Sequence, residues 1–246
     1  LFEFLLQFTN QNNDIKIFIL NSINNIIIFA GMNEMGFSEQ IDRIKNELLK
    51  PLPGSRIQFL MAPEHRQSFS ESVNSKKAAV MILLFPYGQR TGIIFIKREV
   101  YDGAHSGQVS FPGGIYETAD IDLKNTAIRE TAEETGINQE SIRIIGNISS
   151  LLIPVSNFRV FPFIGYTEKK PEFNPDPTEV EYLIYSSLTE IVDPGNIKKE
   201  KWNLFGNEVM VPFYFLSGEK IWGATAMILS EFIETILRSG LNQYDH

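Results

Sequence analysis

Three glutamates, Glu130, Glu133 and Glu134, in the run Asn125-Thr-Ala-Ile-Arg-Glu-Thr-Ala-Glu-Glu-Thr-Gly136 could do phosphate chemistry. At about 100° per helical residue, Glu133 falls roughly 60° to one side of Glu130 and Glu134 roughly 40° to the other. One face then carries three carboxylates within two turns. Like charges so close repel unless a cation sits among them, and hard oxygen ligands of this kind suit Mg²⁺ or Mn²⁺, which also engage a substrate's phosphates. Arg129 can reach Glu133 one turn on, and Gly136 is placed to end the helix in a left-handed cap. Taken alone, Arg-Glu-x-x-Glu-Glu also describes an ordinary solvated helix face.

The longer segment from Gly113 to Ile137 is far more specific. It resembles the Nudix box, G-x(5)-E-x(7)-R-E-U-x-E-E-x-G-U, with Gly114, Arg129, Glu130, Glu133, Glu134, Gly136 and Ile137 on its fixed positions. Thr131 stands where an aliphatic residue is usual. The first acid is Asp120 rather than Glu, and eight residues instead of seven separate it from Arg129. The resemblance implies an α/β fold, the Nudix α/β/α sandwich with a mixed β-sheet. It also implies Glu130, Glu133 and Glu134 as metal ligands, Arg129 as their orienting partner, and the Gly113–Gly114 backbone as the turn that approaches the phosphates. The general base is either a helix glutamate or Glu179, from the loop Asn174-Pro-Asp-Pro-Thr-Glu179.

Upstream, Arg98, Gly107, Phe111, Pro112, Gly113 and Gly114 fall in register with the pattern R-[SA]-x(3)-R-x(3)-G-x(3)-F-P-G-G. This is similar to the coenzyme A diphosphatase group of Nudix hydrolases, as are the displaced Asp120, Pro154-Val-Ser156, Thr178-Glu-Val180 and Ile221-Trp-Gly-Ala-Thr-Ala226. Glu99 departs from the small residue, and Gly103 stands where a second arginine is expected. The resemblance implies hydrolysis of coenzyme A or its thioesters to 4'-phosphopantetheine, or its acyl form, and 3',5'-ADP. Lys97 and Arg98 close a strand beside the glycine turn and are candidate anion contacts; His105, in a loop of small residues, is a candidate phosphate contact or a solvated side chain. Trp222 reads as core rather than as a stacking platform. Two rivals stand beside this reading. One is a Nudix hydrolase of another nucleoside diphosphate derivative, such as ADP-ribose or a dinucleotide polyphosphate, which Gly103 leaves open. The other is a non-catalytic ligand sensor, which loss of a helix glutamate would favour; all three are present.

The elements that must hold these residues come from the rest of the 246-residue chain. A net charge of −8 argues against a general nucleic-acid binder, and the substrate is expected to be a small diphosphate. No cysteine is present, which excludes disulfides and thiolate chemistry and fits a cytoplasmic protein. Residues 1–34 are rich in Ile, Asn and Phe. Asn21, Asn24 and Asn25 interrupt the run, so it reads as no membrane span but as an extension outside the function, with Met32 or Met35 as the natural start. Residues 35–77 supply a helix over Phe37–Leu49, capped by Ser38, and an arm. Residues 78–240 form the catalytic domain. Ala78–Phe85 and Gly92–Lys97 read as a strand hairpin, Ile142–Leu152, Phe158–Thr167 and Glu208–Leu216 as further strands, and Thr225–Arg238 as a closing helix. A homodimer is one assembly the sequence leaves open.

Overall fold

The computed structural model describes residues 35–64, 75–99, 107–204 and 206–241. The N-terminal segment 1–34 and His105 lie outside the described residues. The frame is set by strand β1 (Lys76–Tyr87), whose alternation sends odd and even residues to opposite faces. Ala79, Met81, Leu83 and Phe85 pack against Ala127, Ile137 and Ile142. Ala78, Ile82 and Leu84 join a second core with Ile41, Ile44, Ile228, Leu229, Phe232 and Ile236. Helix α1 (Phe37–Glu47) and the C-terminal helix, here α3 (Gly223–Arg238), therefore cover one face, and helix α2 (Leu123–Thr135) the other. This is an α/β/α sandwich.

The sheet between them is mixed. β1 runs antiparallel to β2 (Arg90–Arg98) through the expected hairpin, with Leu84 opposite Ile93, and parallel to β7 (Phe158–Tyr166), with Ile82 opposite Ile164. β2 carries β8 (Val180–Ser187) on its other edge, and β7 carries β5 (Arg143–Asn147) and β6 (Leu151–Ile153). Two short strands lead to the motif: β3 (Val109–Ser110) pairs with β2, and β4 (Gly113–Ile115) pairs with β1. A separate three-stranded sheet is built from β9 (Ile197–Leu204), β10 (Asn207–Leu216) and β11 (Glu219–Trp222), the last running straight into α3. Trp222 is half-buried and packs edge-on against Trp202 at 5.1 Å. No helix among the described residues is long and apolar enough to cross a membrane.

Three expectations change. α1 starts from Gly36, which has extended backbone and no side-chain cap, so Ser38 lies inside the first turn; Leu49 is 81% exposed because the helix ends at Glu47. The strand read over Ile142–Leu152 is two strands. What splits them is Glu231 of α3, fully buried, which accepts from the Ser149 N–H at 3.3 Å and the Ser149 hydroxyl at 2.7 Å. The same carboxylate takes Gly54 N–H at 3.0 Å and Gln58 Nε2 at 2.7 Å, tying the arm to the sheet edge and the helix. A charge burying itself under four donors offsets its desolvation only while they all point at it.

Glu231→Ala leaves those donors unpaired, and we expect a loss of about 3 kcal/mol or more in urea unfolding. Glu234→Ala, which removes only a surface pair with Arg238, should stay within about 0.5 kcal/mol.

Candidate active site

The helix that carries the acids has a thin apolar stripe, and local chemistry fixes its ends. Asp122 is the N-cap, its side chain accepting from Asn125 N–H at 2.8 Å; Gly136 ends the helix at φ 72° with its N–H on Ala132 O. Buried threonines stand in for aliphatics on the packed face. Thr131 is fully buried with its hydroxyl on Ala127 O at 2.6 Å, so the unusual residue at this motif position costs no unpaired polar group.

Two glycines bring strand and helix together. The Glu130 carboxylate lies where a Cβ on Gly114 would stand, so a side chain there would displace that carboxylate from the turn. Gly113, at φ 149°, donates its N–H to Glu134 Oε2 at 2.8 Å. Arg129 gathers the acids. Its Nε and Nη2 clamp Asp120 at 2.9 and 3.1 Å, and Nη1 sits 3.0 Å from Glu130 and 2.9 Å from Glu133. Asp120 also accepts from Thr126 Oγ1 at 2.8 Å and from Glu117 N–H at 3.0 Å, and these contacts hold its carboxyl well below the usual carboxylate range. Asp120 is thus a positioning residue for Arg129, a role the sequence left unassigned.

Glu179 joins the cluster from the far end of the helix. Asn174 N–H bonds Thr135 O at 2.9 Å, Asp176 N–H reaches Glu134 O at 3.4 Å, and Glu179 N–H returns to Asp176 O at 3.2 Å. Its charge acts on both Glu130 and Glu134. Burial is the largest effect on these two: it raises the Glu130 carboxyl, and pushes Glu134 up to about 8 against the opposing pull of Gly113 N–H and Arg98.

The neighbouring cations part company. Arg98 faces the helix, with Nη1 3.5 Å from Glu134 Oε1 and its Nε buried without a hydrogen-bond partner. Lys97 points to the other side of β2, where Glu219 takes it at 3.1 Å, so the structure does not bring it to the carboxylates. A cavity of about 320 Å³ opens beside Arg98, Gly113 and Gly114. Its walls come from five separate stretches of chain, so the sequence named Arg98, Phe111, Gly113, Gly114, Ser156 and Ala224 without showing that they converge.

A profile of the NUDIX domain matches residues 75–206. The chain belongs to the NUDIX family. It is similar to Nudix hydrolase 15, mitochondrial, of Arabidopsis thaliana, 34% identical over 161 residues, 63% of this chain and 56% of that protein. Nudix hydrolase 3 of Caenorhabditis elegans is 26% identical over 217 residues, 82% of this chain and 88% of its own length. The chain spans little more than half the length of the Arabidopsis relatives it matches, at 56% and 53%. Among solved structures, a MutT/nudix family protein from Enterococcus faecalis aligns at TM-score 0.44 and 15% identity over 80% of this chain and 73% of that one. Within the matched residues, α2 carries the glutamates that align with the Nudix box by sequence and Gly113–Gly114 form the glycine turn before it, called here the Nudix helix and the Nudix turn.

The raised Glu134 carboxyl sets a pH dependence for the metal-free protein. The folded state holds this proton to about pH 8, whereas an unfolded glutamate releases it near pH 4.3. The folded form thus binds more protons between those values, and stability falls as pH rises through that window. Glu134→Gln removes this fall. Thermal or urea unfolding in EDTA should show the variant gaining at least about 2 kcal/mol on the wild type between pH 5 and pH 8; a constant gap would remove Glu134 as the titrating group.

Proposed function

We propose that the protein hydrolyses the diphosphate bond of coenzyme A or its thioesters, giving 4'-phosphopantetheine, or its acyl form, and 3',5'-ADP. Arg98 carries the reading. It is a guanidinium with an unpartnered buried N–H, set beside the Nudix turn and in register with the upstream pattern of the coenzyme A diphosphatase group. A buried charged donor without a partner is costly, and a diphosphate oxygen is the acceptor it lacks. In a chain of net charge −8, such a placed cation is what meets an anionic substrate.

The donor set fits a hard divalent ion. Glu130, Glu133 and Glu134 offer only oxygens, and without a cation burial lifts two of them above the ordinary range. Among the described residues no three such groups already converge as a cage, because Arg129 holds Glu130 and Glu133. Those three glutamates would hold Mg²⁺ or Mn²⁺, which when bound neutralises phosphate charge and acidifies water. Arg129 keeps the carboxylates on one side of the helix, anchored in turn by Asp120. Arg98 orients the phosphate, and the Nudix turn lets it approach a backbone without side chains. Glu179 is the base in this reading: it is exposed, and among the described residues no ion pair holds it. The lack of cysteine supports a cytoplasmic setting.

Two measurements test this. Incubating the protein with Mn²⁺ or Mg²⁺ and a panel of coenzyme A, acyl-coenzyme A, ADP-ribose and dinucleotide polyphosphates, read by product mass, should give 4'-phosphopantetheine and 3',5'-ADP from coenzyme A at the highest kcat/KM. Faster turnover of ADP-ribose would defeat the substrate assignment and leave the family untouched. Glu134→Gln should lower kcat by about a hundredfold or more while the protein stays folded; activity within twofold of wild type would sink the metal-ligand role.

A further inference from the structure

The cavity beside the Nudix turn has chemistry that selects between the two arms leaving a diphosphate. Its volume is about 320 Å³, and its walls are aliphatic or aromatic: Ala78, Val80, Ile153, Phe158, Val160 and Ile228. It lies on the α3 side of β1, yet shares Gly113, Gly114 and Arg98 with the carboxylate cluster. A group attached directly to a phosphate at the turn can therefore enter it.

Polar groups are scarce inside. The Thr225 hydroxyl is engaged by Val109 O at 2.9 Å. Ser110 Oγ, like Arg98 Nε, is buried with no hydrogen-bond partner. Gln108 and Ser156 also line the cavity but are already engaged; with Arg98 turned to the diphosphate, Ser110 is the lining side chain whose hydrogen bond is still to be made.

We infer that this cavity receives the branched aliphatic arm of the substrate, the pantoyl segment next to the diphosphate, rather than the nucleoside. The inference rests on the coenzyme A reading above. That segment is a methylene followed by a carbon bearing two methyls, which bury against aliphatic walls. It then carries one hydroxyl followed by an amide, within reach of one serine. A ribose with a 3'-phosphate would instead bring a dianion and further hydroxyls against walls that, among the described residues, hold no second cation to receive them, and each buried polar group left unpaired costs affinity. The adenosine arm accordingly leaves the turn on the outer side.

Because the two products divide the substrate at this point, they test the inference separately from turnover. Isothermal titration of the full chain with Mn²⁺ should show 4'-phosphopantetheine and 3',5'-ADP each binding. Ala224→Leu places a larger side chain into the cavity wall and should weaken 4'-phosphopantetheine by tenfold or more, leaving 3',5'-ADP within twofold. Ser110→Ala, a change small enough to spare the fold, should weaken 4'-phosphopantetheine about threefold to tenfold and again spare 3',5'-ADP; it decides the matter if Ala224→Leu folds poorly. If the variants weaken 3',5'-ADP and spare 4'-phosphopantetheine, the cavity holds the nucleoside and this inference is wrong while the coenzyme A reading stands. If neither product binds and coenzyme A is not cleaved, the coenzyme A reading falls and takes the inference with it.

Discussion

A carboxylate can lie flat on a backbone only where that backbone has no side chain, and Gly114 is where this chain meets that constraint. The Glu130 carboxylate fills the space a Cβ would need, and Gly113 beside it adopts φ 149° with Ala79 and Val80 too close for any substituent. Since β4 is paired to β1 at these residues, the contact seats the Glu130 carboxylate of the helix against the sheet. Gly136 does the same at the other end, where a Cβ would collide with the carbonyl of Asn174. The loop held there delivers Glu179. Three glycines thus set the spacing of four acids that come from two distant parts of the chain.

That spacing has an electrostatic consequence. Five carboxylates, Asp120, Glu130, Glu133, Glu134 and Glu179, stand around two guanidiniums, Arg98 and Arg129. Arg129 is largely committed to Asp120 through two hydrogen bonds, a bidentate geometry that a lysine could not reproduce. Arg98 touches Glu134 only at 3.5 Å. The imbalance falls on the buried side of the helix, where water screens least. A divalent cation among them would relieve it, so the raised carboxyls bear on the proposed metal site.

Much of this was legible in the sequence because it is periodic or punctuated. The shared face of Glu130, Glu133 and Glu134 follows from helical spacing, Gly136 from its place after the last turn, and the β1–β2 hairpin from two apolar runs around a turn. What escaped has no period to find. β9, Ile-Lys-Lys-Glu-Lys-Trp-Asn-Leu, is exposed along most of its length and shows no alternation, since its pairing with β10 rather than burial makes it a strand. Asp120 meets Thr126 and Arg129 only because a turn closes from Asp120 N–H to Glu117 O at 3.0 Å, absorbing the extra residue before the cap at Asp122. The break between β5 and β6 depends on Glu231, 82 residues away from Ser149.

Lys97 and Arg98 show how strand geometry assigns roles that composition cannot. Adjacent residues on a strand point to opposite faces, and although the pairing of β2 with β8 shifts register between these two residues, Lys97 goes to Glu219 and Arg98 to Glu134. Glu219 accepts from both Lys97 and Tyr182, at 3.1 and 2.6 Å, joining β2 and β8 to the first residue of β11. Three residues further on, β11 ends at Trp222 and α3 begins, placing Ala224, Thr225 and Ile228 on the cavity wall. The lysine that faces away from the carboxylates therefore anchors the sheet that positions the far side of the pocket. Its neighbour Arg98 meets the same pocket from the carboxylate side, so one dipeptide on β2 ties together the chemistry of the site and the shape of the space beside it.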